Sequence, residues 1–264
     1  HPKYLVPEPW DTMYDPEKLT VPEMTPEEHE NNPPHFQLTQ QENPDFSAWQ
    51  EPDGNAMHGF GSHLHDRDEL AKNIAIYYAM ISLMDKYIGK ILDKLDELGI
   101  ADNTLVVFTT DHGHFYGQHG LIAKGAFHYE DMIKIPMVAR LPGRIPAGQR
   151  NAALQTLVDY PQTFLSIAGL EAPRSMTGVD QSAVWFGDTE AARDHIVVEN
   201  RHQPTTIHLK TYVDERYKIT VYYGRDYGEL FDLQEDPGEI HNLWDSPAHA
   251  GLKARLVMAL LQAE

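Results

Sequence analysis

The chain has 264 residues, no cysteine, 41% apolar and 23% charged residues, and a formal net charge of -19 at pH 7. These proportions fit a globular protein with a substantial core, in one large domain or a large domain with a small appendage, and exclude wholesale disorder. The charge excludes a general binder of nucleic acid or anionic membrane, and the lack of cysteine excludes disulfides, thiolate zinc sites and a cysteine nucleophile from this stretch.

The first residues, "HPKYLVPEPW", show neither the basic nor the apolar region of an export signal. A start at His1 without a methionine leads us to expect a segment of a longer gene product, with its compartment left open. No run is long and apolar enough to span a bilayer. Residues 2–68 are rich in Pro, Asp, Glu, Asn and His and have little periodicity, which predicts a long irregular insertion or lid.

From Asp66 the pattern changes. Ile74, Tyr77, Ile81, Met84, Ile88, Ile91 and Leu95 recur at alternating steps of three and four, one face of a long helix expected to pack on a sheet. Asp66 can cap its start, and Gly99 can end it in a left-handed conformation. "TLVVFTT" (104–110) is short, β-branched and continuously apolar, as a central parallel strand covered on both faces should be. "PMVARLP" gives another strand and "VDYPQTFLSIAGL" a helix from near Asp159, so the alternation predicts an α/β layered fold over residues 1–186. Residues 187–264 then read as short adjacent strands and one terminal amphipathic helix, a small antiparallel α+β subdomain.

The densest chemistry lies in "TTDHGHFYGQHGLIAKG" (109–125). Asp111 follows the apolar strand at its carboxyl end, where open α/β sheets place ligands, and His112 is next to it. Together they offer oxygen and nitrogen donors to a divalent cation, although an isolated Asp-His pair is more often a solvated acid and a surface histidine. Gly113, Gly117 and Gly120 punctuate the loop, which ends on Lys124, a point charge suited to an oxyanion.

The succession "YYAMISLMDKYIGKILDKLDELGIADNTLVVFTTDHG", "YGQHGLIAKG" and "YEDMIKIPMVARLPG" resembles the C-terminal part of the catalytic domain of the type I, formylglycine-dependent sulfatases of the alkaline-phosphatase superfamily. "GELFDLQEDPGEIHNL" resembles the family's closing "LYDL-x-x-DP-x-E-x-x-NL" segment. The resemblance covers most of 70–264 in order, and implies an alkaline-phosphatase-like α/β/α sandwich with a small C-terminal sheet. It implies that Asp111 and His112 are the second pair of ligands to one divalent metal, calcium first and manganese or zinc as alternatives. Lys124 would contact the sulfate oxygens, and His1 would be the histidine of a "PH-x-PY" segment touching the sulfate or leaving group. His119 would support these groups from behind.

The family's nucleophile motif, "C/S-x-P-x-R", and its N-terminal acidic pair do not occur in these 264 residues. The resemblance therefore implies half of an active site, completed by the missing N-terminal half of the same domain and inactive alone. The implied activity is hydrolysis of a sulfate ester, on a small molecule or a sulfated saccharide, with a phosphonate monoester or phosphodiester hydrolase and a non-catalytic binding module as alternatives. Loops of the C-terminal part commonly set specificity, which makes Arg201, His202 and His208 candidates for gripping an anionic sugar, against a reading as ordinary surface residues. His114, His128 and the "HLH" of 63–65 have no firm counterpart in the family.

Overall fold

The computed structural model describes residues 4–45, 47–49, 66–201 and 207–263. In chain order come α1 (Pro34–Leu38), α2 (Arg67–Glu97), β1 (Val106–Thr109), β2 (Phe115–Tyr116), β3 (Ile122–Ala123), α3 (Glu130–Ile133), β4 (Met137–Arg140), α4 (Asp159–Ile167) and α5 (Ser182–Phe186). They are followed by β5 (His195–Arg201), β6 (His208–Asp214), β7 (Tyr217–Tyr222), β8 (Gly228–Asp232) and α6 (Ala250–Gln262). Helices and strands interleave up to α5 and neighbouring strands follow, the α/β arrangement with a terminal antiparallel sheet that the sequence predicts. No helix among the described residues is long and apolar enough to cross a membrane.

Helix α2 is closed at both ends by its own sequence. The Asp66 carboxylate accepts the backbone N–H groups of Asp68 and Glu69 at 2.7 and 3.0 Å, two donors with no partner inside the helix. At the other end Gly99 adopts φ +66°, its N–H donates to the Asp96 carbonyl, and the Ile100 N–H donates to that of Leu95. This paired closure needs a left-handed residue, which glycine supplies without a Cβ clash.

Burial along the apolar stripe of α2 is uneven. Ile74 is buried with Val21, Leu70 and Tyr116, whereas Ile81, Met84 and Ile91 are exposed. Among the described residues, only the small β2–β3 sheet, through Tyr116 and Ile122, packs on the N-terminal part of this face; the short turns Trp10–Thr12, Pro16–Lys18 and Ala101–Asn103 also pack on the helix.

Strand β1 also differs from expectation, because it runs antiparallel to β4, with Val107 opposite Ala139 and Phe108 opposite Val138. A parallel neighbour needs a crossover connection, whereas the chain after β1 doubles back through the β2–β3 hairpin and the short α3. One face, carrying Val107, Met137 and Ala139, packs on Tyr160, Val184 and Trp185 from α4 and α5; on the other, Phe108 and Val138 are exposed.

Strands β5, β6, β7 and β8 form an antiparallel meander in that order. Leu256 and Leu260 of α6 cover one face, against Tyr212, Ile219 and Leu230. The opposite face contributes Leu209, Tyr222 and Phe231 to a core with Phe36, Phe115, Leu121, Phe127 and Tyr129. Because side chains alternate along a strand, this second face also buries Thr211, Lys218, Thr220 and Glu229. Lys218 forms an ion pair with Glu239, both 1% exposed, and donates to the His128 carbonyl at 2.7 Å.

Residues 21–40 of the irregular N-terminal segment enter the same core, with Val21, Glu28, His29, Asn32, His35, Phe36 and Thr39 buried. Burial holds His35 neutral, its pKa lowered to about 3. Burial likewise pushes the Glu229 carboxyl up to about 7, against the Tyr222 hydroxyl that donates to it at 2.7 Å and the charge of Lys218.

The shift of Glu229 makes stability depend on pH with a definite sign. Between about pH 4.5, the ordinary value, and about 7 the folded state binds a proton that the unfolded state has released, so stability falls as pH rises through that window. The separation corresponds to about 3 kcal/mol. Glu229→Gln is expected to keep an acceptor for Tyr222 while removing this dependence. Its advantage over the parent in denaturant unfolding should grow from pH 5 to 7.5 and then level off; a difference independent of pH would show that Glu229 is ionised throughout.

Candidate active site

Beyond Thr109 the chain leaves β1 and turns at Asp111, His112 and Gly113. Asp111 Oδ1 accepts the His112 N–H at 3.0 Å and the Thr110 hydroxyl at 3.2 Å. Slight burial would raise the Asp111 carboxyl, but the interaction with His112 and these hydrogen bonds prevail and hold it below the usual carboxylate range. His112 Nδ1–H donates to the Gly113 carbonyl at 2.7 Å, which selects the tautomer with its lone pair on Nε2. That nitrogen lies 3.5 Å from Asp111 Oδ2 and accepts from Lys124 Nζ at 3.0 Å.

Asp111, His112 and Lys124, at the two ends of one glycine-punctuated loop, thus meet around His112 Nε2. Asp111 Oδ2 and His112 Nε2 face each other at 3.5 Å beside the Lys124 ammonium, and one metal ion could touch both. An imidazole that gives its other N–H to a backbone carbonyl is oriented as metal-binding histidines are. The pair therefore fits a divalent ion as part of a coordination shell; among the described residues no group of three or more His, Cys, Asp or Glu forms a complete one.

The turn and the lysine are the two feet of one hairpin, in which Phe115 pairs with Ala123 and Tyr116 with Ile122. At the first foot Gly113 donates to the Met132 carbonyl at 2.8 Å. Only glycine allows this approach, because a Cβ there would stand 1.7 Å from the Asp131 carbonyl oxygen. At the tip, His119 is buried between Glu28 on Nδ1 and Asp131 on Nε2, the latter at 3.3 Å. Burial alone would lower its pKa, but the hydrogen bonds to Asp131 and Glu28 and their charges raise it to about 9. Its ring lies flat on Tyr129, with centroids 3.6 Å apart.

The other candidates divide. Arg201 and His208 share a partner, their Nε and Nε2 reaching Glu199 Oε1 at 3.0 and 2.8 Å, so both are already engaged. His1, His202 and the histidines of 63–65 lie outside the described residues. His114 accepts from or donates to the Tyr4 hydroxyl at 2.7 Å beside Tyr77 and Tyr116. His128 is buried on Thr211, and burial with the Lys218 charge lowers its pKa to about 3. Sequence reasoning missed Glu28, His29, Asn32 and Tyr129; "YED" was visible as a motif, but nothing marked the polar segment 28–32 as its partner.

The Asp111–His112 pair at a strand end, a lysine returned to it and a terminal antiparallel sheet accord with the alkaline-phosphatase superfamily to which the sequence motifs point. The family described as "Sulfatase" matches residues 24–170, and "N-sulphoglucosamine sulphohydrolase, C-terminal" matches 117–264. The chain belongs to the sulfatase family. An N-acetylglucosamine-6-O-sulfatase of Bacteroides thetaiotaomicron is 30% identical over 195 residues, 71% of this chain and 35% of that protein. A solved structure of a protein with its substrate D-glucosamine-2-N,6-O-disulfate is similar at TM-score 0.70 and 27% identity, over 75% of this chain and 41% of the other. The phosphonate monoester hydrolase of Silicibacter pomeroyi is similar at TM-score 0.82 and 26% identity, over 100% of this chain and 53% of the other. The chain thus spans about a third to a half of the length of these relatives.

Gly113→Ala is expected to cost about 2–3 kcal/mol, as an atom forced into a packed backbone contact. Denaturant unfolding measures the loss, and the His112 ring signals in an NMR spectrum should shift with it; a variant with unchanged stability and spectrum would mean the turn does not need this contact.

Proposed function

We propose that this chain supplies the metal-binding and oxyanion-binding part of the active site of a sulfuric ester hydrolase. The observation that carries the reading is the convergence on His112 Nε2 of Asp111 Oδ2 at 3.5 Å and Lys124 Nζ at 3.0 Å, at the end of β1, in a chain of the sulfatase family. The reaction breaks the bond between sulfur and the ester oxygen and releases an alcohol. A divalent ion at Asp111 and His112, calcium first and manganese or zinc as alternatives, would screen the sulfate and lower the pKa of a nucleophile beside it. That nucleophile is a formylglycine on a motif not contained in these residues.

Lys124 places an ammonium where charge builds on the sulfate oxygens. His112, with its Nδ1 turned to the Gly113 carbonyl, would present Nε2 to that divalent ion beside Asp111. His119 holds the hairpin that carries both. His1 would meet the leaving oxygen, and Arg201, His202 and His208 would hold the rest of a sulfated saccharide. Sulfated glucosamine as substrate class is supported by the name of the Bacteroides relative and by the substrate bound in the similar solved structure.

A specific observation also favours a second reading, hydrolysis of a phosphonate monoester. The phosphonate monoester hydrolase matches the whole chain at TM-score 0.82, above the 0.70 of the structure with the disulfated sugar, although a 2-O GAG sulfatase also covers 93% of the chain. Both reactions need an anionic ester, a metal and a lysine.

In the complete gene product, Asp111→Ala is expected to abolish metal retention, read by elemental analysis, together with turnover. Lys124→Ala should lower kcat/KM by about a hundredfold or more at nearly unchanged melting temperature. Rates on 4-nitrophenyl sulfate against a phenylphosphonate monoester decide between the two readings, and turnover indifferent to both substitutions would defeat each of them.

A further inference from the structure

The segment 22–40 closes over the hairpin tip, residues 117–120, from several sides. The Pro22 carbonyl oxygen lies 3.0 Å from where a Cβ of Gly117 would stand, and Met24 Sδ lies 2.8 Å from that of Gly120. Gln40 Nε2 donates to the Gly120 carbonyl at 3.0 Å, and His29 Nε2–H donates to that of His119 at 2.8 Å. Glu28 reaches furthest in. It is 5% exposed, its Oε1 bonds His119 Nδ1, and its Oε2 accepts the Thr25 N–H at 3.1 Å.

His119 itself has φ +56°, a left-handed conformation that a residue with a Cβ keeps only when its surroundings hold it. The hairpin below has two rungs, Phe115 with Ala123 and Tyr116 with Ile122, too few to be rigid without outside support. Its geometry must therefore be fixed from the tip as well as from the feet.

We propose that Glu28 is a positioning residue for the reaction: by holding His119 at the tip, it sets the placement of His112 and Lys124 at the two feet of the hairpin. The proposal rests on the reading of those two as ester-hydrolysing groups. A carboxylate suits the task because its two oxygens serve two donors at once. An amide has a single acceptor oxygen, so it must abandon either Thr25 or His119 and turn an N–H against a donor. The groups facing His119 are Glu28 and His29 from the N-terminal segment, Asp131 and Tyr129 from the 128–132 segment, and Glu229 further into the core. With a carboxylate on each nitrogen the ring keeps both protons until about pH 9, and the clamp stays charged through the neutral range.

The test compares Glu28→Gln with Glu30→Gln, which removes the same charge from an exposed position two residues on. In nitrogen-edited NMR of this chain, the parent and Glu30→Gln should hold both His119 ring protons to about pH 9. Glu28→Gln should lose one at lower pH and weaken the cross-peaks between His112 and Lys124. In the complete gene product, with whichever ester the parent hydrolyses, kcat should fall by about tenfold or more at nearly unchanged KM. The alkaline limb of its pH profile should move to lower pH. Parental cross-peaks and pH profile in Glu28→Gln would overturn the proposal. If that variant does not fold, titrating the parent through pH 9 asks the same question, since the cross-peaks should weaken as His119 loses its proton, and their persistence would count against Glu28 equally. A parent inactive on both esters would sink the hydrolase reading separately, with the NMR comparison still deciding the placement.

Discussion

A buried polar group has to be matched where it lies, and in this protein much of the matching falls to residues 128–132. The His128 carbonyl takes the Lys218 ammonium, the Glu130 N–H goes to Glu239, and the Tyr129 hydroxyl accepts from Asn32. Asp131 meets His119, and the Met132 carbonyl takes the N–H of Gly113. Leaving any one of these unpaired costs about 1–3 kcal/mol, and more for a charge. The C-terminal sheet, the N-terminal segment and the glycine-punctuated hairpin are thereby bound to one another through a single short stretch, and the site inherits its geometry from all three.

The electrostatics follow from the same arrangement. A chain of net charge -19 repels anions at long range, so the proposed recognition of an anionic ester would depend on short-range cations placed against that background. Lys218 is neutralised in the core by Glu239, and the His119 imidazolium by two carboxylates. Lys124 instead stands at the strand end beside His112. The interior charges brace the structure, and the one at the strand end lies where the proposed chemistry would take place.

Much of this was legible in the sequence, and the reasons for success and failure are physical. The ends of α2 were readable because capping is local: Asp66 and Gly99 act within a turn of themselves. The meeting of Asp111, His112 and Lys124 was readable from the family motif and from the carboxyl end of an apolar strand. The direction of β1 was not, since a continuous apolar run carries no record of its neighbour's orientation. Glu28 was invisible because its partner is 91 residues away, and a polar stretch rich in Pro and Glu looks like solvated loop. Lys218 and Thr220 alternate with apolar residues, as on a wet strand face; only the packing of the second core shows that they are buried.

The distance along the chain between Glu28 and His119 has a consequence for how the protein fails. The hairpin and the meander are built from neighbours in sequence, while the cover over the hairpin tip is a long-range contact made by a segment with little regular structure of its own. Such contacts open at lower free energy than the sheet and helices around them. A preparation in which only residues 22–40 have come away would lose the short α1 but keep its long helices, its strands and nearly all of its circular dichroism, yet its lysine and histidine would no longer be held in register.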